Sequence, residues 1–169
     1  MNGVSRRVFL ASAAVASAAL AGGRAEAATL PLLLHDAQLA AGRRFAARAQ
    51  LLGGKAVALE GDRVRQMRDL LAAAPTAIFA VTRRSDELLV GEIAAEAGYL
   101  RVALVRHGRG GLITANCAPD GVTIGALAQF SDAAWPEAFA ELALDKIGQC
   151  AVAPASPALP ALSWMMTRR

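Results

Sequence analysis

Arg106, His107 and Arg109 stand together in the stretch "LVRHGRGG", an imidazole between two guanidiniums, interleaved with Gly108, Gly110 and Gly111. These residue types suit anion chemistry. Guanidiniums hold oxyanions, glycine backbone N–H groups can approach closely, and a histidine can attack or move a proton. The chain has one other imidazole, His35 in "LLLHD". Glu60 in "LEGD" and Arg83 in "VTRRSD" likewise stand where an apolar run gives way to charge.

The elements that would position these groups alternate along the chain. "TLPLLLHD", "KAVALEGD", "TAIFAVTR" and "YLRVALVRH" are apolar runs without polar alternation, as in strands buried on both faces of a sheet. Between them lie "AQLAAGRRFAARAQLLGG", with Leu39, Phe45, Ala49 and Leu52 near helical spacing, and "RVRQMRDLLAAAP", with Val64, Met67, Leu71 and Ala74 on one face. "SDELLVGEIAAEAG" is a third helix, with Ser85 or Asp86 as cap and Gly98 as stop. Strands interleaved with helices imply an α/β fold, a small doubly wound, mostly parallel sheet of four or more strands flanked by helices. Ligands bind outside the carboxyl ends of such strands. The expected ligand-binding rim is therefore His35, Glu60, Arg83, Arg106, His107 and Arg109. A shared site requires His35 and His107 within a substrate's width, roughly 5–8 Å.

A plainer account competes. Asp36, Asp62 and Ser85/Asp86 stand where helices need N-caps, Glu60 and Asp62 would pair with the arginines, and Arg83-Arg84 would be a solvated pair. No G-x-S-x-G occurs, and Ser85, Ser131 and Ser163 lack a context that marks an activated hydroxyl.

After Gly108 the pattern changes. Leu112–Ala115 reads as a short strand, Pro119-Asp120-Gly121 as a turn, and Val122–Ile124 as a strand pairing back in a hairpin. "SDAAWPEAFAELALDKIG" is a fourth helix, capped by Asp132, with Trp135, Phe139 and Leu142 on its apolar face. Residues 28–150 make the α/β domain, and 151–169 a Pro/Ala-rich connector with an apolar tail. "LSWMM" in that tail is a last strand or a docked or disordered end.

Two resemblances follow from these letters. "LVRHG", with Arg109 in the pattern Arg-His-Gly-x-Arg, resembles the signature of the histidine phosphatases. That likeness implies His107 as nucleophile and Arg106 and Arg109 as phosphate ligands, with His35-Asp36 resembling the His-Asp pair of the acid-phosphatase branch. Here the motif follows the fourth strand rather than the first, and no histidine comes after it. At the other end, Ser5-Arg6-Arg7-Val8-Phe9-Leu10 resembles the twin-arginine (Tat) export motif. A mild apolar stretch from Val8 to Ala21 and the A-x-A site Ala25-Glu26-Ala27 complete a leader over residues 1–27. The likeness implies recognition by the Tat machinery through Arg6 and Arg7, cleavage near Ala27 and a periplasmic location. The apolar stretch is short for a permanent span of about 20 residues.

The leader carries three arginines and one glutamate, so its removal lowers the net charge from +4 to +2. That balance, with export, argues against nucleic acid as partner. An oxidising periplasm permits a disulfide between Cys117 and Cys150, the alternative being two buried thiols. No metal-ligand cluster and no cofactor motif is legible. The expectation is an exported accessory protein that binds a small anionic ligand or a protein partner, with a small hydrolase or phosphatase acting at the rim as the alternative.

Overall fold

The computed structural model of the chain describes residues 30–108, 113–146 and 160–169. The leader with Arg6 and Arg7, the rim residue Arg109, Cys150 and most of the connector lie outside the described residues. Among those described, six strands form one mixed sheet flanked by five α-helices. The strands are β1 (Leu32–His35), β2 (Ala56–Ala58), β3 (Ala77–Thr82), β4 (Tyr99–His107), β5 (Ile113–Ala115) and β6 (Ala161–Arg168). The helices are α1 (Ala40–Leu51), α2 (Arg63–Leu71), α3 (Arg84–Glu96), α4 (Pro119–Phe130) and α5 (Trp135–Ala143).

The strand order is β2-β1-β3-β6-β4-β5. β1 pairs in parallel with β2 and β3, whereas β6 is antiparallel to both β3 and β4, and β5 to β4. The first four strands thus share one direction, as an α/β alternation demands. The sheet is mixed because the tail strand β6 runs between β3 and β4 against them. β6 is buried from Ala161 to Met166, so its unbroken apolar run marks a central strand without marking its direction.

Helices cover both faces. Phe45 and Ala49 of α1, Ile124 of α4, and Phe139 and Ala140 of α5 pack on one face against Leu33, Phe79, Val81, Val105 and Met165. Met67 of α2 and Val90 and Ala94 of α3 pack on the other against Leu34, Ile78, Ala80, Trp164 and Met166. The α1–α5 seam carries two ionic rungs one helical turn apart. Arg44 Nε and Nη2 donate to the two oxygens of Glu137 at 2.6 and 2.7 Å, and Arg48 donates to Glu141 Oε1 at 2.6 and 3.0 Å. Such forked pairs fix the axial register of two helices whose apolar contacts alone would permit sliding.

The caps fall partly as expected. Asp62 is the N-cap of α2, its carboxylate accepting from Val64 N–H at 3.0 Å and Arg65 N–H at 3.1 Å. Asp62→Ala should cost about 1 kcal/mol, read as a lower urea midpoint at unchanged slope. α3 starts earlier than Ser85 or Asp86 would cap it. Its N-cap is Arg83, whose side chain makes no capping bond, and Asp86 stands in the first turn. α2 ends at Leu71 rather than reaching Pro75, and Ala74 takes a positive φ of 51°.

The segment 119–124 is helix rather than turn and hairpin. Pro119 is tolerated in the first helical turn because its missing N–H would be unsatisfied there anyway, and Asp120 suits the positive end of α4. Gly121 is there for space. A Cβ on it would lie 2.4 Å from the Asn116 carbonyl oxygen and Oδ1, so the chain entering α4 passes too close for a side chain. The expected fourth helix is also divided. Ser131 ends α4, Asp132–Ala134 form a 3-10 turn, and α5 begins only at Trp135, so Asp132 is not its cap.

Candidate functional site

Because β1–β4 point the same way, their carboxyl ends share one edge of the sheet, together with the start of β6. His35, Glu60, Arg83, Arg106 and His107 all lie along this edge, but they do not converge. His35 is opposite Val81 on β3, Val81 opposite Ser163 on β6, and Ser163 opposite Val105 on β4. Three strand spacings separate β1 from β4, about 14 Å. The shared site of His35 and His107 is therefore not formed, because β3 and β6 both lie between their strands. The rim divides into two parts.

At β1 and β3 the acids and bases pair with each other. Asp36, 2% exposed, accepts from Gln38 N–H at 2.9 Å and from Arg83 Nε. Arg63 Nε donates to Asp86 Oδ1 at 3.0 Å, and Arg63 Nη1 to the Gly61 carbonyl at 2.8 Å. Burial alone would push the Asp36 carboxyl up, but the Arg83 and Gln38 hydrogen bonds and the Arg83 and Arg63 charges outweigh it. They hold the carboxyl below its ordinary value. Arg83 is thus an ion-pair partner rather than half of a solvated pair, and the crevice between β1 and β3 is filled by protein charge. Glu60 is exposed, and its own N–H is held by Gln66 Oε1 at 3.2 Å while Gln66 Nε2 donates to the Ala58 carbonyl at 2.7 Å. The Gln66 amide occupies part of the free edge of β2, which guards against a further strand pairing there.

His35 turns away from this lattice. It lies on the same face of β1 as Leu33, toward α1, and lines a groove of about 610 Å³. The groove's other polar walls are Arg43 and Gln50 of α1 and Lys55 just before β2, and Ala46, Ala47 and Ala56 give it a smooth apolar floor. Burial lowers the His35 pKa against the opposing pull of Asp36 and Glu60, so the ring is neutral at pH 7. Its Nδ1 is enclosed with no hydrogen-bond partner. A neutral ring with the proton on Nε2 leaves only an unused acceptor at Nδ1, the less costly of the two ways to enclose that atom.

At β4 and β6 the ring of His107 stacks on Trp135 of α5, centroids 3.5 Å apart and planes 3° from parallel. His107 Nε2 lies 2.8 Å from Ser163 Oγ. Burial pushes the His107 pKa down to about 4, so this imidazole is also neutral at pH 7. Arg106, next to it on the strand, faces the opposite side of the sheet and is exposed. "LVRHG" therefore spells neighbours in sequence that look into different spaces. Among the described residues no ion pair joins Arg106 to Glu60 or Asp62. Cys117 is exposed, and its expected partner Cys150 lies outside the described residues. No group of three or more His, Cys, Asp or Glu able to hold a metal occurs among the described residues.

In the sequence Ser163 is one of three serines without an activating context and Trp135 is part of an apolar helix face, and the groove cations are not singled out. Ser163 and Trp135 carry no local signal, since β6 and α5 bring them to His107 only through tertiary structure. Arg43, Ala46, Ala47 and Gln50 do carry one. They are spaced i, i+3, i+4, i+7, a small-residue stripe of α1 beside its core stripe. The chain matches no protein-family model, no curated protein and no solved structure, which leaves its own geometry to carry the functional reading.

Proposed function

We propose that this is a non-catalytic accessory protein that binds a small ligand, and that the ligand occupies the groove between α1 and β2. One observation carries the reading: in the groove polar side chains line open space, while Asp36, Arg83 and His107 of the rim are engaged with protein partners. We read the fold as a doubly wound layer into which β6 has been inserted. The crevice at its reversal, between β1 and β3, is closed by the Asp36–Arg83 pair, and the groove lies on the other side of β1, where α1 and the start of β2 leave open space. Ala47→Trp, at an exposed floor position, should block the groove with little effect on stability. Protein recovered from the periplasm should carry a small molecule or a partner in native mass spectrometry, and the Ala47→Trp variant should have lost it. A stable, bare monomer in both preparations would end this reading.

A specific contact favours a second reading, a small hydrolase. A neutral His107 within hydrogen-bond reach of Ser163 is the geometry of a base and a nucleophile. Ser163 is only 2% exposed, however, which disfavours attack on a substrate. A serine-directed fluorophosphonate decides between the two. Labelling at Ser163 that His107→Ala abolishes supports the hydrolase, and an unreactive Ser163 rules it out.

We further propose that the chain reaches the periplasm by the twin-arginine route and loses its leader near Ala27. The support is the motif around Arg6 and Arg7. No helix among the described residues is long and apolar enough to cross a membrane. Replacing Arg6-Arg7 by Lys-Lys should stop the processed form from accumulating in the periplasm, and unchanged processing would assign it to another route. A mass gain of two hydrogens on reduction would establish the Cys117–Cys150 bond.

A further inference from the structure

We infer that the ligand of the α1–β2 groove is an organic anion, an oxyanion headgroup carried on an apolar body. This inference rests on the groove being the binding site and adds the chemistry of what it takes. Among the described residues, Arg43 and Lys55 are the charged ones of its lining and no carboxylate lines it. Asp36 and Glu60 are close enough to act on His35, but Asp36 is engaged by Arg83 and neither carboxylate reaches the groove wall. Arg43 is aimed. Its Nη1 donates to the carbonyls of Ala37 at 2.9 Å and Gln38 at 3.2 Å, which orients the guanidinium while leaving its other nitrogens free of those bonds. An oriented guanidinium loses less freedom on holding a carboxylate or phosphate than a free one. Lys55, exposed just before β2, adds a second charge to the lining.

The floor sets the rest of the ligand. Ala46, Ala47 and Ala56 present methyl groups without side chains long enough to fill the space. A volume of about 610 Å³ is far more than an inorganic ion needs and is in the range of pockets that take organic molecules. His35, neutral and 9% exposed, contributes a neutral hydrogen-bonding group rather than a third charge. Gln50, a polar side chain on the same stripe of α1, can donate or accept to a substituent on the body.

Three probes with one apolar body separate the claims: 2-naphthoate, neutral 2-naphthamide and cationic 2-naphthylmethylamine. Each is titrated at millimolar concentration into the leaderless chain and followed by amide NMR shifts. Naphthoate should bind saturably, with shifts centred on α1 and β2, and weaken with added salt. Reversing one nearby charge should weaken it roughly tenfold, so Lys55→Glu should do so while improving the amine. Arg43→Gln should weaken it as well, and the unfolding midpoint of both variants confirms that each is folded. If the amide or the amine binds this groove as tightly as naphthoate, the anion inference is overturned while the groove remains the site. If inorganic phosphate binds as tightly as naphthoate, the apolar body is overturned. If naphthoate binds elsewhere, or equally well to the Ala47→Trp variant, the groove reading falls with the inference.

Discussion

Arg101→Met should destabilise the protein by about 3 kcal/mol, at the lower end of what removing one partner of a buried ion pair costs. The reason lies in Glu87. Its side chain is 1% exposed within α3, and Arg101 reaches it from β4 to place Nη2 2.5 Å from Oε1. Neither carboxylate oxygen has a properly directed hydrogen bond, so the guanidinium is the compensation for a carboxylate shut away from water. The Arg101 side chain is itself 38% exposed, and that access to solvent keeps the expected loss from the top of the range. The approach depends on Gly91, where a Cβ would stand 2.9 Å from Arg101 Nη2. Gly91→Ala should therefore displace the arginine, a cost that the better helix propensity of alanine, about 1 kcal/mol, offsets in part or whole. In the Arg101→Met background, Glu87→Leu should recover most of the stability, because an apolar pair of similar volume replaces a costly charge. The urea midpoint at unchanged slope is the measurement. A loss below about 1 kcal/mol for Arg101→Met would show that the carboxylate finds water on its own.

Neither Glu87 nor Arg101 stands out in the sequence, and the reason is general to this chain. Local pattern marks what a segment is but not what it faces. The four apolar runs ending in charge are β1–β4, and the helices between them have the expected core stripes, but burial on both faces is complete only at β3, since β2 is half-buried and Leu100, Arg101 and Arg106 of β4 are exposed. "LSWMM", open in sequence as a last strand, a docked tail or a disordered end, lies in the buried strand β6. Nothing within it says that it will pair between β3 and β4, a pairing that leaves three strand spacings, about 14 Å, between β1 and β4. Pro119-Asp120-Gly121 misleads for a different reason. Each residue type serves both a turn and a helix entrance, and only the close approach of Asn116 reveals why the glycine is there.

The candidate site was legible to a similar depth. The types and edge of the polar groups follow from the strand ends. Their partners do not, since Arg83 meets Asp36 across 47 residues of sequence and Trp135 meets His107 through the packing of α5. The groove falls between these cases. Its helical wall is a readable stripe on α1, but that stripe becomes a wall only because β2 ends the sheet beside it.

Acidification should expose the cost of the two neutral imidazoles. The His107 pKa falls from 6.5 to about 4 on folding, by burial. The unfolded chain therefore binds a proton in that window that the native state does not, and stability falls as pH falls through it. The full shift corresponds to roughly 3 kcal/mol. The stack on Trp135 opposes this, because a protonated ring against an indole gains about 1 kcal/mol of cation–π attraction, so roughly 2 kcal/mol should be seen. His35, lowered by burial in the same direction, adds to the loss. Asp36 acts separately. Its carboxyl is held below the ordinary 3.8, so the stability from its pairing with Arg83 is present above that value and is lost only as pH falls further. The urea midpoint measured from neutral pH to about 4 should thus decline in the wild type. It should decline less in His107→Gln, which keeps a polar group beside Ser163 without a titrating ring. A flat profile in the wild type would mean that His107 is solvated, and an equal slope in both would assign the loss to His35 alone.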